Sequence, residues 1–420
     1  MLRSLMAGIV LAFAGSRANV ARTILSCTGI VVGVGALVLV VSASDFGQRF
    51  ATAYSEANAG RPATLEVSVF EETITDRAAF EEDLVRAGGR DVSLYQSPME
   101  PPSIRSGDTV VTEASFTGVD PSLGDIRRMN MLEGRWFTDA DTGSLAPVMI
   151  VNEELAAAIG DLAQVQVGTD HWMDVRVIGV LESSALDSGW YSAYILRSPA
   201  SEELIFGSGS SDEEEESEAE AMYAMGVPTT YQVRIDPEDP AADDPWGEIF
   251  TERLGSASWR WGVENRESLS SYRSDYAEMT NEAITYLSLA LMGIAAITLT
   301  TGLLGVLNVG LVTVRERRRE LATYRALGAS RFTLFVAVVM ESVVVSLVAG
   351  IIAIAGCWAV LSVGGAVLGS FVQLPDDIPL NIPPAGVLVG LGSAALVGLL
   401  AGIIPAMRAL GASVVAGLRE

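Results

Sequence analysis

Residues able to do acid–base or nucleophilic chemistry are scarce in this chain. Its 420 residues include one histidine, His171, and two cysteines, Cys27 and Cys357. All 27 basic residues are arginine, and there is no lysine. Without lysine the chain can form neither a Schiff base nor a G-x-x-x-x-G-K-[ST] phosphate loop. A Cys/His zinc site and a disulfide framework both lack their side chains. His171 stands beside Trp172 at the start of an apolar run, where edge packing accounts for it. Both cysteines fall within long apolar runs, where a reduced thiol behaves as a small hydrophobe. Acid pairs such as Glu81-Glu82 and Asp243-Asp244 are sequence neighbours on an acid-rich surface, and nothing marks one pair as tuned. The run from Asp212 to Glu216 lacks the alternating ligands and turn glycine of a calcium loop. The chain therefore reads as non-catalytic, with no metal or cofactor of its own.

The chemistry it does favour is that of a bilayer. Hydrophobic residues make up 50% of the chain and charged residues 19%, against about 25% charged in ordinary soluble domains. A formal net charge of −25 excludes nucleic-acid binding through bulk charge. Four segments are apolar enough to cross a membrane: 24–44, 283–314, 332–360 and 385–407. Segment 361–384 reads as a glycine-containing outer loop (Gly364, Gly365, Gly369). Residues 1–23 carry Arg3, Arg17 and Arg22 and no acid, and 2–13 reads as an interfacial helix. The box 24–27 superficially resembles a lipoprotein cleavage site. The apolar run continues past Cys27, so cleavage is not expected.

Arginine placement sets the orientation. The 315–331 loop holds six arginines against Glu316 and Glu320, whereas segment 45–282 holds 16 arginines against 46 acidic residues, a net −30. Both termini, including the tail 408–420, and the 315–331 loop are expected in the cytoplasm of a plasma-membrane protein. The segment 45–282 is expected outside. Its alternating runs predict strands at 63–70, 110–119, 147–151, 172–181 and 229–235. Helical patterns fall at 76–87 and 152–159, the latter opened by Asn152, Glu153 and Glu154. This is an α+β pattern. Segments 44–57 and 267–282 read as helical stalks continuing the first two spans. Segment 207–225 reads as a solvated acidic insertion.

The sharpest motif is Glu316-Arg317-Arg318-Arg319-Glu320-Leu321-Ala322-Thr323-Tyr324-Arg325-Ala326-Leu327-Gly328-Ala329. Helix is expected through Leu327, with Gly328 as its stop. A positive-inside anchor explains the arginines but not the amphipathic Tyr324 to Ala329 stretch. Glu341, about ten residues into the third span, is the only charge there; a carboxylate in that place is costly and needs a partner.

Here the sequence resembles the FtsX-like and MacB-like permease subunits of ABC transporters, the mechanotransmission group. The family's E-R-x-x-E-(I/L)-x-x-x-(R/K)-A-x-G-A loop is similar to Glu316, Arg317, Glu320, Leu321, Arg325, Ala326, Gly328 and Ala329. Glu341-Ser342 resembles its third span, and the stretch from Gly402 to Ala409 with Pro405 resembles its closing segment. Thr117-Gly118-Val119-Asp120 and Leu132-Glu133-Gly134-Arg135-Trp136-Phe137 are similar to the MacB-type core domain. The family's frequent G-K pair is replaced by Gly160-Asp161.

The resemblance implies four transmembrane helices with a large α+β extracytoplasmic domain between spans 1 and 2. It implies a homodimer working with a separate ABC ATP-binding subunit, which would bind ATP and Mg. The 315–331 loop would dock on that subunit, and Glu341 would be structural. Lipid and an external substrate or partner are expected contacts. Export, lipid or lipoprotein extraction and activation of a wall hydrolase all fit the layout. The competing reading is a membrane-anchored sensor or scaffold that binds an external ligand.

Overall fold

The computed structural model describes residues 20–70, 72, 74–98, 100–168, 171–182, 189–206, 228–328, 330–369 and 378–411. The expected interfacial helix at 2–13, the acidic stretch 207–225 and the tail beyond 411 lie outside the described residues. The chain divides into two compact units. One is helical and takes the described residues up to Arg49 and from Glu282 onward; the other is Phe50–Asn281.

The helical unit is built from α1 (Val20–Asn58, whose outer end belongs to the sheet unit), α7 (Ala277–Glu316), α8 (Arg318–Ala326), α9 (Arg331–Gly369) and α10 (Pro384–Gly411). Four of these helices are long and apolar enough to cross a membrane: Cys27–Asn58, Ala277–Glu316, Arg331–Val367 and Pro384–Arg408. In hydrocarbon, helices associate through close packing rather than hydrophobic burial, so small residues mark the contacts. Gly29 of α1 meets Gly302 of α7, where an added Cβ would lie 2.9 Å from the opposite Cα. Gly398 and Gly402, one turn apart on α10, face Val343 and Val339 of α9 just as closely, at 2.6 and 2.9 Å. Ile30, Val34, Val38, Ala349, Ala353 and Ala394 form the buried centre. The Cys357 thiol donates to the Gly35 carbonyl at 3.4 Å.

The sheet unit holds β1 (Thr64–Val69), α2 (Arg77–Arg86), β2 (Gly89–Gln96), β3 (Ser103–Ser106), β4 (Thr109–Val111), β5 (Ala114–Val119), α3 (Leu123–Ile126), β6 (Met131–Gly134), β7 (Val148–Asn152), α4 (Glu153–Ile159), β8 (Val165–Gly168), β9 (Met173–Leu181), β10 (Tyr191–Leu196), α5 (Glu202–Phe206), β11 (Thr229–Ile235), α6 (Glu248–Gly255) and β12 (Leu269–Arg273). The strand order is β12-β1-β11-β2-β5-β10-β7-β9-β8-β3-β4, with β6 beside β9. β5 pairs with β10, and β7 with β9, in parallel; the other pairs are antiparallel. Phe80, Tyr231, Phe250 and Trp261 fill the core behind β1 and β11. Both expected helix starts are capped: Asp76 accepts from the Ala79 N–H at 2.9 Å, and Asn152 from the Leu155 N–H at 3.1 Å.

The two connections to the helical unit leave from adjacent strands, β1 and β12. The buried Asp275 carboxylate accepts from the Thr64 N–H at 3.1 Å and takes both arms of Arg273, at 3.0 and 2.8 Å. Ser274 Oγ donates to the Ala59 carbonyl at 2.6 Å, and the Tyr276 N–H donates to Ser55 Oγ at 3.2 Å. The chain turns from α1 into β1 through Gly60 (φ 115°) and Ala63 (φ 65°). Gly60 cannot carry a side chain, since a Cβ would lie 2.6 Å from Thr64 Oγ1.

Three expectations from sequence are corrected. Segment 267–282 is not one helix: β12 pairs with β1, burying Leu269 and Ser271, and helix begins only at Ala277. The helix α9 runs through Gly364 and Gly365 to Gly369, so no loop begins at 361; apolar neighbours outweigh glycine's helix penalty of about 1 kcal/mol. The 110–119 run is two strands, broken at Thr112-Glu113.

Asp275→Ala leaves the buried Thr64 N–H without its acceptor and leaves Arg273 only the exposed Glu278, at 3.0 Å. It should cost about 3 kcal/mol, read as an earlier urea transition in tryptophan fluorescence of the full chain. Asp141, buried, takes both arms of Arg135 at 2.6 and 2.7 Å, and the Thr138 hydroxyl and N–H. Arg135 first, then Thr138, holds its carboxyl well below the usual carboxylate range. A depressed folded pKa gives stability that is present above the unfolded value of about 4 and lost as pH falls below it. Asp141→Asn should remove about 2 kcal/mol at neutral pH and flatten the loss between pH 4 and 2. Unchanged acid denaturation would contradict this.

Candidate functional site

The helix α7 ends where Arg317 leaves helical geometry, at φ −93° and ψ 15°, although its N–H still donates to the Thr313 carbonyl at 3.0 Å. The expected continuous helix through Leu327 is therefore broken, and α8 starts afresh at Arg318. It closes through the Leu327 N–H to Thr323 O and the Gly328 N–H to Arg325 O, at 3.0 and 3.1 Å. Gly328 adopts φ 98°, the left-handed region that side chains avoid. Ser330 then opens α9, its Oγ accepting from the Thr333 N–H at 3.1 Å.

This short helix presents an uneven surface. Ala322 is buried, Arg317 and Arg325 are half-buried, and Glu316, Glu320 and Ala326 are exposed. Tyr324 is 45% exposed, Leu327 80% and Phe332, at the start of α9, 73%. The Leu321 side chain and Ala329 lie outside the described residues. Exposed apolar side chains flanked by Arg319 and Arg331 cannot activate a substrate; they suit a protein surface.

Arg317 supplies what Glu341 needs. Its guanidinium stands 3.4 Å from Glu341 Oε1 on α9 and 3.8 Å from Glu320 on α8. One side chain thus joins the α7–α8 break to the third span. The pair is separated by 23 residues of sequence, so reading the motif as a unit misses it. The only signal was a lone acid in an apolar run, close to an arginine-rich loop.

The sheet unit holds the other strongly perturbed groups. Arg197 bridges Asp120 at 2.6 Å and Glu81, and the Tyr231 hydroxyl donates to Glu81 at 2.9 Å. Burial raises the Asp120 carboxyl despite Arg197, and burial with the neighbouring Glu81 raises the Tyr231 phenol. Each member is already partnered, so the cluster ties α2, β5, β10 and β11 together. His171 is exposed on the surface, 3.9 Å from Glu203.

Removing the cation from the loop pair should expose its weight. Arg317→Ala should lower the stability of the full chain in detergent by about 1–3 kcal/mol. Adding Glu341→Gln, which removes the stranded charge, should restore at least half of that in thermal melts. An unrestored double variant would show that the two residues do not act as a pair.

A family model for the MacB-like periplasmic core domain matches residues 23–242, and one for the FtsX-like permease C-terminal region matches residues 292–414. Over 419 residues the chain is 27% identical to the macrolide export ATP-binding/permease protein MacB 1/2 of Paracoccus denitrificans, covering 97% of this chain and 58% of that one. Over 423 residues it is 24% identical to an uncharacterized ABC transporter permease, YknZ, of Bacillus subtilis, covering 97% of each. The chain thus spans little more than half the length of the first relative and nearly all of the second. Among solved structures, the periplasmic region of MacB from Actinobacillus actinomycetemcomitans aligns with 55% of this chain and 95% of its own, at 16% identity and TM-score 0.35.

Proposed function

This chain belongs to the MacB-like and FtsX-like permeases of ABC transporters, and we propose that it couples ATP binding and hydrolysis in a separate ATPase subunit to movement of its extracytoplasmic domain. It is a multi-pass membrane protein with an extracytoplasmic segment, Phe50–Asn281, between its first two spans. The observation that carries the coupling reading is the α8 element. It is a short helix set off from α7 at Arg317 and stopped at Gly328, with Tyr324 and Leu327 exposed at its end. Such a surface, between the second and third spans, is suited to insertion into a partner on the cytoplasmic side. The arginine excess of the 315–331 loop supports that side.

In this reading ATP and Mg are bound by the partner, because this chain has no lysine for a phosphate loop. ATP acts only through a difference between two states of the partner. The 315–331 loop is where that difference would reach the membrane helices, and Arg317 would pass it to α9 through Glu341. Two copies of the permease would meet a dimeric ATPase. The cargo would be moved by the extracytoplasmic domains, as in export or lipid extraction.

The test is co-reconstitution with the ABC ATP-binding subunit that co-purifies with it from native membranes. Leu327→Asp, and separately the double change Arg325→Glu with Gly328→Pro, should reduce permease-dependent stimulation of ATP hydrolysis at least tenfold. The near-UV circular dichroism of the sheet unit should not change. Full stimulation in the double variant would remove α8 from the coupling path. A chain that never co-purifies with an ATPase would favour a sensor or scaffold.

A further inference from the structure

Among the described residues one arginine is buried, Arg127 of the sheet unit, at 4% exposure, and no carboxylate stands within ion-pair distance of it. This reverses the pattern of the unit. Its buried acids Asp83, Asp141 and Asp275 each meet an arginine. Segment 45–282 offers 46 acids to 16 arginines, so a cation left without an anion is not a matter of supply. Taking a guanidinium out of water is costly unless an anion meets it.

The backbone sets Arg127 in place. It follows α3, and its N–H donates to the Leu123 carbonyl at 2.7 Å. The side chain then lies on the sheet face where Glu66, Gln232 and Ser93 are in register across β1, β11 and β2. Its guanidinium stands 4.2 Å from the centre of the Tyr95 ring, and its Nε donates to Gln232 Oε1 at 2.8 Å. The two Nη nitrogens carry no hydrogen bond among the described residues, and neither is sealed from solvent. Gln232, 1% exposed, has no acceptor for its Nε2, which shares a carbon with the oxygen that Arg127 holds. Donors are thus gathered here without an acceptor.

The acids of this face are engaged elsewhere. The Tyr272 hydroxyl, in register with Glu66, donates to the Glu66 carboxylate. Asp91 faces Arg234 at 3.8 Å, and Glu56 faces Arg128 at 3.7 Å. Asp125 is exposed to water.

We propose that Arg127 receives an external oxyanion, a carboxylate or phosphate group held by its two Nη nitrogens in the paired geometry that a guanidinium offers such groups. Tyr95 and Gln232 hold the guanidinium for it. The small exposed area admits one terminal oxyanion group and no ring. The site belongs to the sheet unit alone. Neither α8 nor an ATPase takes part, so its failure and the failure of coupling are separate results.

The probe is inorganic phosphate. It is titrated at neutral pH into the full chain in dodecyl maltoside, which contains no phosphorus, and followed by phosphorus NMR line broadening. Saturable broadening is expected, with Kd on the order of 1 mM. Arg127→Gln should weaken binding at least tenfold. Arg127→Lys keeps the charge but loses the fork, and should weaken it several-fold. Near-UV circular dichroism establishes that each variant is folded. If neither folds, Glu66→Gln carries the test: it removes a negative charge from the same face and should tighten phosphate about threefold. Dihexanoylphosphatidate and acetate, added as competitors, distinguish the sources. Displacement by phosphatidate at a tenfold lower concentration than acetate supports a lipid headgroup as the natural ligand; equal displacement supports a free small anion. No saturable broadening, undiminished broadening in folded Arg127→Gln, or no tightening in Glu66→Gln would each overturn the proposal.

Discussion

The sheet unit depends on one buried carboxylate. The chain enters this unit from α1 and leaves it into α7, and both connections run through adjacent antiparallel strands. Asp275 fixes that adjacency by joining the first N–H of β1 to the guanidinium at the end of β12. Around it, Ser55 and Ser274 tie the end of α1 to the chain that leads into α7. A buried charge is stabilising only when its partners are all present and well placed. Here a backbone N–H and a bidentate arginine meet that condition. β11 pairs with the other side of β1, and the antiparallel layer continues through β2 to β5.

The same constraint recurs because arginine is scarce in this unit. With 16 arginines against 46 acids in segment 45–282, most carboxylates must stay in water. Those that do not are the ones joined to arginine. Asp83 is held by Arg260, Asp120 by Arg197, Asp141 by Arg135 and Asp275 by Arg273. Each of the first two pairs bridges elements distant in sequence: Arg260 reaches α2, and Arg197 ties the end of β10 to the end of β5. Surface ion pairs contribute little to stability, but a buried acid stripped of its arginine is costly. The arginines thus specify the fold more than they raise its stability.

How much of this was legible from residues alone varied with the physics involved. Strands with clean alternation, such as 63–70 and 229–235, were visible, as were capped helices beginning at Asp76 and Asn152. β12 was not, because Leu269-Ser270-Ser271-Tyr272-Arg273 offers a single aliphatic residue and its other buried position is a serine, Ser271. Nothing local distinguishes such a strand from a polar helix; pairing with β1 decides. The loop motif was legible as a helix with a glycine stop. Its break at Arg317 was not, and the acid that Arg317 meets lies on another helix, 24 positions on in sequence.

Ring stacking and membrane packing share one helix. The inner part of α1 carries Gly29 and Gly33, whose bare Cα atoms let α7 approach; its outer end carries Phe50, Ala53, Tyr54 and Ala57. The helix α1 is continuous over 39 residues, about 58 Å. No proline interrupts it, and Ser55 seals its far end into the sheet unit. The glycines and the aromatic residues of α1 thus answer two different packing demands, close backbone approach in hydrocarbon and ring stacking outside it.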